Sequence, residues 1–190
     1  MAYELAVGAA LVLIIAAVII FNRLIQLRER CNDAFSQIDI QLKRRNDLIP
    51  NLVEVVKKYA KYEKGVFENI ALARSGFSDA KSVSDISRAN DNIARAVKSV
   101  IAVSENYPAL KANENFLHLQ DELSDAEERI AYSRGFYNKT VINYNNSIAI
   151  FPWNLLAGIA GMGARDYFGA TYEEKKPVQV SMDEGKNSLS

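Results

Sequence analysis

The sequence predicts an all-α protein, with an N-terminal single transmembrane helix continuous with a long-helix antiparallel bundle of the four-helix type. Three observations predict it. Leu5 to Phe21, LAVGAALVLIIAAVIIF, is an uncharged apolar run, near the lower length limit for a helix that spans a bilayer. After it, Phe35, Ile38, Leu42, Arg45, Ile49, Leu52, Val56 and Tyr59 step alternately by three and four, the seam of a helix that packs on other helices. Farther on, Phe116, Leu123, Ile130, Tyr137 and Tyr144 recur every seven residues, with Leu119, Ala126, Val141 and Ile148 between them. A second long helix is therefore the natural partner of the first.

Composition bounds the functions. With 190 residues, 49% of them apolar, the chain makes one domain of modest core with an anchor and a tail left over. Lys plus Arg and Asp plus Glu are equal at 23 each. No global field favours nucleic acid, and basic residues are not interleaved with aromatics. Charge is uneven locally: residues 23–74 carry eleven basic against seven acidic side chains, and residues 108–148 four against six. Those two stretches have complementary flanks. Cys31, the single cysteine, excludes an internal disulfide and reads either as a juxtamembrane lipidation site or, preferably, as a small seam residue. His118 has no ligand motif around it. Without a phosphate-binding glycine loop, metal-ligand cluster or nucleophile motif, the chain is predicted to be no enzyme and to carry no cofactor.

The apolar run opens the chain in order, with Tyr3 and Asn22 placed for the two interfaces. A cleaved signal peptide fits less well, because Glu4 stands where a basic cluster is expected and no small-residue cleavage site precedes Asn22. Arg23, Arg28 and Arg30 follow, so the positive-inside rule puts the N-terminus outside and the rest in the cytoplasm, at the cell inner membrane. The seam continues through Val66, Ile70 and Ala73, which extends the first helix to about Ser75. Pro50 removes one amide donor inside it, predicting a kink or a helix junction there. Arg45 is the one charged seam residue and predicts a specific acid partner.

Residues 76–84, GFSDAKSVS, break the pattern. Ser84 or Asp85 then caps a second helix with apolar positions Ile86, Ala89, Ile93, Val97, Val100 and Val103. It stops near Tyr107, and Pro108 begins the third. If Pro108 marks a reversal, Ile148 is carried away from the membrane; if it marks a bend, the later segment returns to the bilayer. On the third helix Tyr137 and Tyr144 are core residues, while Asn138 and Asn145, seven apart, hydrogen-bond across a helix interface and fix register. The acceptor patterns at Asn138 and Asn145 are not read as glycosylation sites, because they lie on a helix. Residues 148–164 are apolar but too rich in Gly and Pro for a second span. They read as a turn at Phe151–Pro152 and a short helix capped by Asn154 that packs on the bundle. The alternative is a segment dipping into lipid, with Phe151 and Trp153 at the interface. The domains expected are thus the anchor (1–22), the bundle (23–171) and a disordered tail (172–190).

Three stretches, QIDIQLKRRNDLIPNLVEVVKKYA (37–60), ENYPALKANENFLHLQDEL (105–123) and RGFYNKTVINYNNSIAIFPWNLLA (134–157), followed by Tyr167–Phe168, resemble the LemA family. The resemblance runs from the anchor to about Phe168, with Phe35 standing where many members have tryptophan. It implies a single-pass bacterial membrane protein with a cytoplasmic helical bundle and no established enzymatic activity. It also implies a scaffold or adaptor, since family genes often lie beside those of a membrane metalloprotease and relatives occur among proteins that shape magnetosome membranes.

The function expected is a membrane-anchored scaffold that self-associates as a homo-oligomer or engages another membrane protein, with residues 5–21 in the lipid bilayer. Asp39, Lys43, Arg44, Arg45, Asp47, Asn51 and Glu54 match the family motif on polar positions and are the candidate partner contacts. The competing reading makes them intrahelical pairs such as Asp39 with Lys43, or Glu54 with Lys57 and Lys58, each contributing a few tenths of a kcal/mol. The alternative function is a sensor that binds a small ligand among Tyr107, Tyr137, Tyr144 and Trp153. Asp125, Glu127 and Glu128 read as a solvated charge run.

Overall fold

The computed structural model describes residues 1–169, which form six α-helices, α1 (Ala2–Tyr59), α2 (Lys64–Ser78), α3 (Val83–Val103), α4 (Pro108–Lys111), α5 (Glu114–Ala149) and α6 (Trp153–Ile159), with one 3-10 turn at Ser104–Asn106. No strand occurs among the described residues. An extended segment, residues 161–169, follows α6 and is called the strap below. The tail expected at 172–190 lies outside the described residues.

The first helix is longer at its start and shorter at its end than the periodicity suggests. It runs unbroken through the apolar run, the basic residues and Pro50, whose ring faces solvent. No junction forms there. The helix ends at Tyr59, not Ser75, with Lys57 and Lys58 in its last turn, where cations interact favourably with the helix dipole. The chain then reverses through Ala60–Glu63 into α2. The reason is tertiary: Asn113 donates to the Tyr59 hydroxyl at 3.0 Å, so α5 begins level with residue 59. A helix continued to residue 75 would carry Val66, Ile70 and Ala73 beyond any partner. Folding back packs Val66, Ile70 and Ala73 against the core that holds Leu52 and Val56.

Cap chemistry sets the later boundaries. Ser82, not Ser84 or Asp85, caps α3: its Oγ accepts from the Asp85 amide at 3.0 Å and donates to the Asp85 carboxylate at 2.7 Å, a reciprocal box that satisfies one free helix-start amide. Pro108 opens only the four-residue α4. The long α5 starts after Asn113, whose side chain accepts from the Phe116 amide.

Between residues 59 and 114 the chain reverses three times, so α2 descends along α1, α3 ascends and α5 descends. Cross-links fix these directions: Arg74 to Asn46, Arg45 to Asn90, and the Tyr107 hydroxyl to Glu63. The packing of α1 on α5 is the most extensive in the fold. Pairings of 59 with 113, 45 with 127 and 35 with 137 keep one antiparallel register, which sets Ala149 level with Arg23. The expectation that a reversal at Pro108 would carry Ile148 away from the membrane is thereby corrected. The turn at Ala60–Glu63 adds one reversal and inverts the outcome.

The core has two storeys. The distal one joins α1, α2, α3 and α5 around Ile49, Leu52, Ile93, Val100 and Leu123. The proximal one joins α1 and α5 to the strap around Cys31, Ile38, Leu42, Ile130, Tyr137, Tyr144 and Phe168, with Trp153 of α6 packed on it.

Candidate functional site

Arg45 lies between the two storeys and is 2% exposed. One end of its guanidinium, Nη1, donates to Glu127 Oε2 at 2.5 Å; the other, Nη2, donates to the Asn90 carbonyl at 3.2 Å and side chain at 2.9 Å. Glu127 remains half exposed, so a buried cation is neutralised by an anion that still sees water. This arrangement limits the desolvation cost of the pair. Arg45 Nε and Gln41 Oε1, four residues apart on α1, are buried without a hydrogen-bond partner among the described residues. Beside this layer, Arg44 bridges Glu122 at 2.8 Å and Asp125 at 3.2 Å. Asp125 also accepts from Arg129, and Arg129 first, then Arg44, holds its carboxyl below the usual aspartate range. Asp125 and Glu127 are therefore partners of α1 rather than a purely solvated run.

The remaining polar motif positions point outward. Asp39, Lys43, Asp47, Asn51 and Glu54 are exposed, as is Ile40. Lys43 pairs with Asp47 at 3.8 Å, and Glu54 with Lys58 at 3.4 Å; both are surface pairs that contribute little to stability. Arg44 and Arg45 turn into α5, while the other five form a stripe on the uncovered side of α1.

At the proximal end the structure brings together residues that the sequence left apart. Tyr137 and Asn138, then Tyr144 and Asn145, repeat the same dipeptide two helical turns apart on α5. Asn138 accepts from the Phe168 amide at 2.9 Å and donates to its carbonyl at 3.0 Å. Asn145 does the same to Arg165, at 2.9 and 3.0 Å. Both amides thus pair with strap backbone, not with another helix as their spacing suggests. The spacing matches: seven residues of helix and three of extended chain each advance about 10 Å. The Tyr137 hydroxyl donates to the Asp166 carbonyl at 2.9 Å, the Tyr144 hydroxyl to Gly163 at 3.1 Å, and Arg134 to Gly169 at 2.8 Å. Burial pushes both tyrosine hydroxyls above their ordinary pKa, with Arg165 pulling the other way. Phe168 is buried beneath the Arg134 guanidinium.

These contacts divide the aromatic set suggested for ligand binding. Tyr137, Tyr144 and Trp153 belong to the proximal core, whereas Tyr107 lies at the distal end beside Glu63. They line no common cavity. Cys31 is fully buried in the proximal core, and burial pushes its thiol pKa up. Among the described residues no group of three or more His, Cys, Asp or Glu side chains is placed to hold a metal ion.

Phe151 and Trp153 separate. Trp153 packs inward, together with Leu156 and the buried Ala157, while Phe151 projects outward with Ile150, Leu155 and Ile159. The helix begins at Trp153, so Asn154 lies inside it and is not its cap. The apolar window of α1 is long enough to cross a membrane, and none of it is buried inside the protein. A core helix would be mostly covered. Its unbroken continuation into the bundle supports a single-pass membrane localisation.

Residues 34–182 match the LemA family. Among curated proteins, the chain is 26% identical over 174 residues to the magnetosome protein MamQ 2 of Paramagnetospirillum magneticum, covering 78% of this chain and 64% of that one. It is 24% identical to the MamQ of Magnetospirillum gryphiswaldense, with the same coverage. It is 26% identical over 164 residues to the protein LemA of Metamycoplasma hominis, covering 84% of this chain and 74% of that one. The chain thus spans about two thirds of the length of the MamQ relatives.

Proposed function

This chain belongs to the LemA family, and from that premise we propose that it is a membrane-anchored, non-enzymatic scaffold whose bundle engages a second copy of itself or another membrane protein. One observation carries the reading. Helix α1 runs without a break from the apolar span into the bundle and leaves Ile40, Lys43, Asp47, Asn51 and Glu54 uncovered, a stripe of about 20 Å by helical rise. Lys43 and Asp47 alternate in sign along it, so a neighbouring chain of complementary charge would meet no uniform repulsion. Arg44 and Arg45 hold the bundle together and act on a partner only by fixing the face of α1 beside them. A membrane metalloprotease and a membrane-shaping assembly are the partner classes that the family resemblance brings forward. The relatives that are magnetosome proteins support the second.

Photo-reactive residues at positions 40, 47 and 54 of the full-length protein in its membrane test the scaffold. A discrete self-adduct, or one recurrent membrane-protein adduct, is expected at all three. Monomer alone at every position would sink the stripe as a contact surface. Arg23, Arg28 and Arg30 support a cytoplasmic bundle at the cell inner membrane, with the N-terminus outside. Labelling of a cysteine placed at the exposed Tyr62 by an impermeant maleimide in intact cells would refute that orientation.

One observation favours the sensor as a second reading. A cleft of about 260 Å³ opens between α3 and α5, lined by Val97, Ile101, Leu123 and Glu127 over Arg45, whose buried Nε lacks a partner among the described residues. Apolar walls over a cation suit a small amphipathic carboxylate. A thermal shift with such acids that Arg45→Met abolishes would support this reading, and no shift across a panel would dismiss it.

A further inference from the structure

Helix α6 is apolar on both sides. Its inner side, Trp153, Leu156 and Ala157, packs on the bundle; its outer side, Leu155 and Ile159, is 58% and 86% exposed with nothing against it among the described residues, and Phe151 in the preceding turn is 73% exposed. Leu155 and Ile159, four residues apart, share one face of the helix, and Phe151 stands exposed in the turn that precedes it. A short helix that is apolar all round is stable only with both sides covered. The question is what covers the second side.

The position of α6 answers it. Because α5 ends level with Arg23, α6 lies beyond that level and packs against α1, toward the apolar run. The burial pattern of α1 agrees: Ala17 and Ile20 are half-buried while residues on the other sides of the same turns are exposed, and the stripe continues into the buried Leu24 and Leu27. The bundle therefore overlaps the last turn or two of the apolar run by about 5–10 Å of helix. That is the depth to which interfacial helices bury in the boundary between headgroups and acyl chains. No charged residue lies in the stretch from Ile148 to Ala164, so no ionised group has to be desolvated on partial insertion, and Asn154, its one polar helix residue, is exposed where it can reach the headgroups.

We propose that α6 is an interfacial foot, with Phe151, Leu155 and Ile159 inserted into the lipid leaflet on the bundle side of the membrane beside the α1 span. The occupant of this face is lipid. The apolar surface is continuous with that of the span, and a single chain carries both to one depth. The inference rests on α1 spanning the membrane and is independent of any protein partner. Its consequence is orientational. One span leaves a bundle free to rotate about its own axis, whereas a foot on one side of α1 fixes which side faces the bilayer plane and which faces neighbours.

The test uses the full-length chain with Cys31→Ala, spin-labelled through Leu155→Cys and reconstituted in phosphatidylcholine vesicles with a minor fraction of phosphatidylglycerol. Collision with oxygen and with a water-soluble nickel chelate is read by power saturation. Ile14→Cys, in the middle of the span, is the lipid reference, and Tyr132→Cys, on the exposed side of α5, is the water reference. The label at 155 is expected to fall between the two references, with oxygen accessibility above and nickel accessibility below those of position 132, as suits the interfacial depth. Adding Phe151→Asp and Ile159→Asp is expected to raise its nickel accessibility to that of position 132. A label at 155 that matches position 132 in the parent protein would overturn the foot, and so would one shielded from both reagents, which means protein covers it. Nickel access at position 14 would instead refute the span itself.

Discussion

Replacing Asn138 by alanine should loosen the whole strap, not merely the residue that Asn138 touches. Asn138 and Asn145 each make two hydrogen bonds of 2.9–3.0 Å to strap backbone. At a net of about 1 kcal/mol per bond, losing one clamp removes about 2 kcal/mol from the opening free energy of the strap, or about 30-fold in its open population. Hydrogen exchange of the Arg165 amide is the decisive readout. That amide is bonded to Asn145, so Asn138→Ala leaves its own partner in place, and only cooperative opening accelerates it. The expected result is about 30-fold faster exchange at Arg165 and Phe168 alike, with α1 and α3 amides unchanged. Asn138→Asp keeps the acceptor for the Phe168 amide but turns a second oxygen toward the Phe168 carbonyl, so it should cost at least as much. Acceleration at Phe168 with Arg165 unmoved would refute the reasoning, because the clamps would then act singly.

Two further outcomes follow from the buried charge and the buried hydroxyls. Glu127→Ala should destabilise the bundle by about 2–3 kcal/mol because it strands a buried cation, while Arg45→Met, which leaves a half-hydrated acid and the buried Asn90 side-chain oxygen without a donor, should cost about 1–2 kcal/mol. Urea unfolding in detergent micelles checks the order, and a larger loss in Arg45→Met would contradict it. Burial raises the folded-state pKa values of Tyr137 and Tyr144 above 10.0. Their contribution is therefore complete below that pH and lost as pH rises through the folded values, where the unfolded chain releases protons first. The urea midpoint should fall above pH 10 and fall less in Tyr137→Phe; an identical pH slope in the two proteins would remove the hydroxyl from the account.

The sequence carries the long-range pairing of this fold more clearly than its turns. The seam of α1 and the seven-residue repeat of α5 are apolar periodicities, which report packing directly, and a charged residue in such a seam implied the acid found at Glu127. The reversal at Ala60–Glu63 escaped because AKYE holds no Gly or Pro, and because α2 resumes apolar spacing almost in phase with α1. A pattern of buried positions does not distinguish one helix from two that share a core. The strap escaped for a different reason. ARDYFG has no periodicity of its own, and side chains of another element satisfy its backbone. The signal lay in α5, where the Tyr-Asn dipeptide repeats after seven residues; a tyrosine in the seam with an asparagine beside it places a paired donor and acceptor along the edge of a helix. At α6, composition showed an apolar segment but not its depth, which depends on counting reversals of the chain. The outward stripe at Lys43, Asp47 and Glu54 was visible as polar positions. That Arg44 turns inward was not, since Glu122 and Asp125 lie about eighty residues away.

The unbroken course of α1 also makes bilayer thickness a mechanical input. From Asn22 to Tyr59 the helix has no joint, and its length by rise is about 55 Å. The apolar run of α1 sits near the short end of spanning lengths, and a transmembrane helix answers a bilayer thinner than its apolar run by tilting, on average by about 20° from the bilayer normal. Carried along a rigid arm of that length, a 20° change sweeps the turn at Ala60–Glu63 sideways by about 19 Å. A membrane that thins by a few ångströms below the length of that run therefore relocates the far end of the bundle by nearly two helix diameters, and two such arms standing side by side would converge or splay with the lipid beneath them.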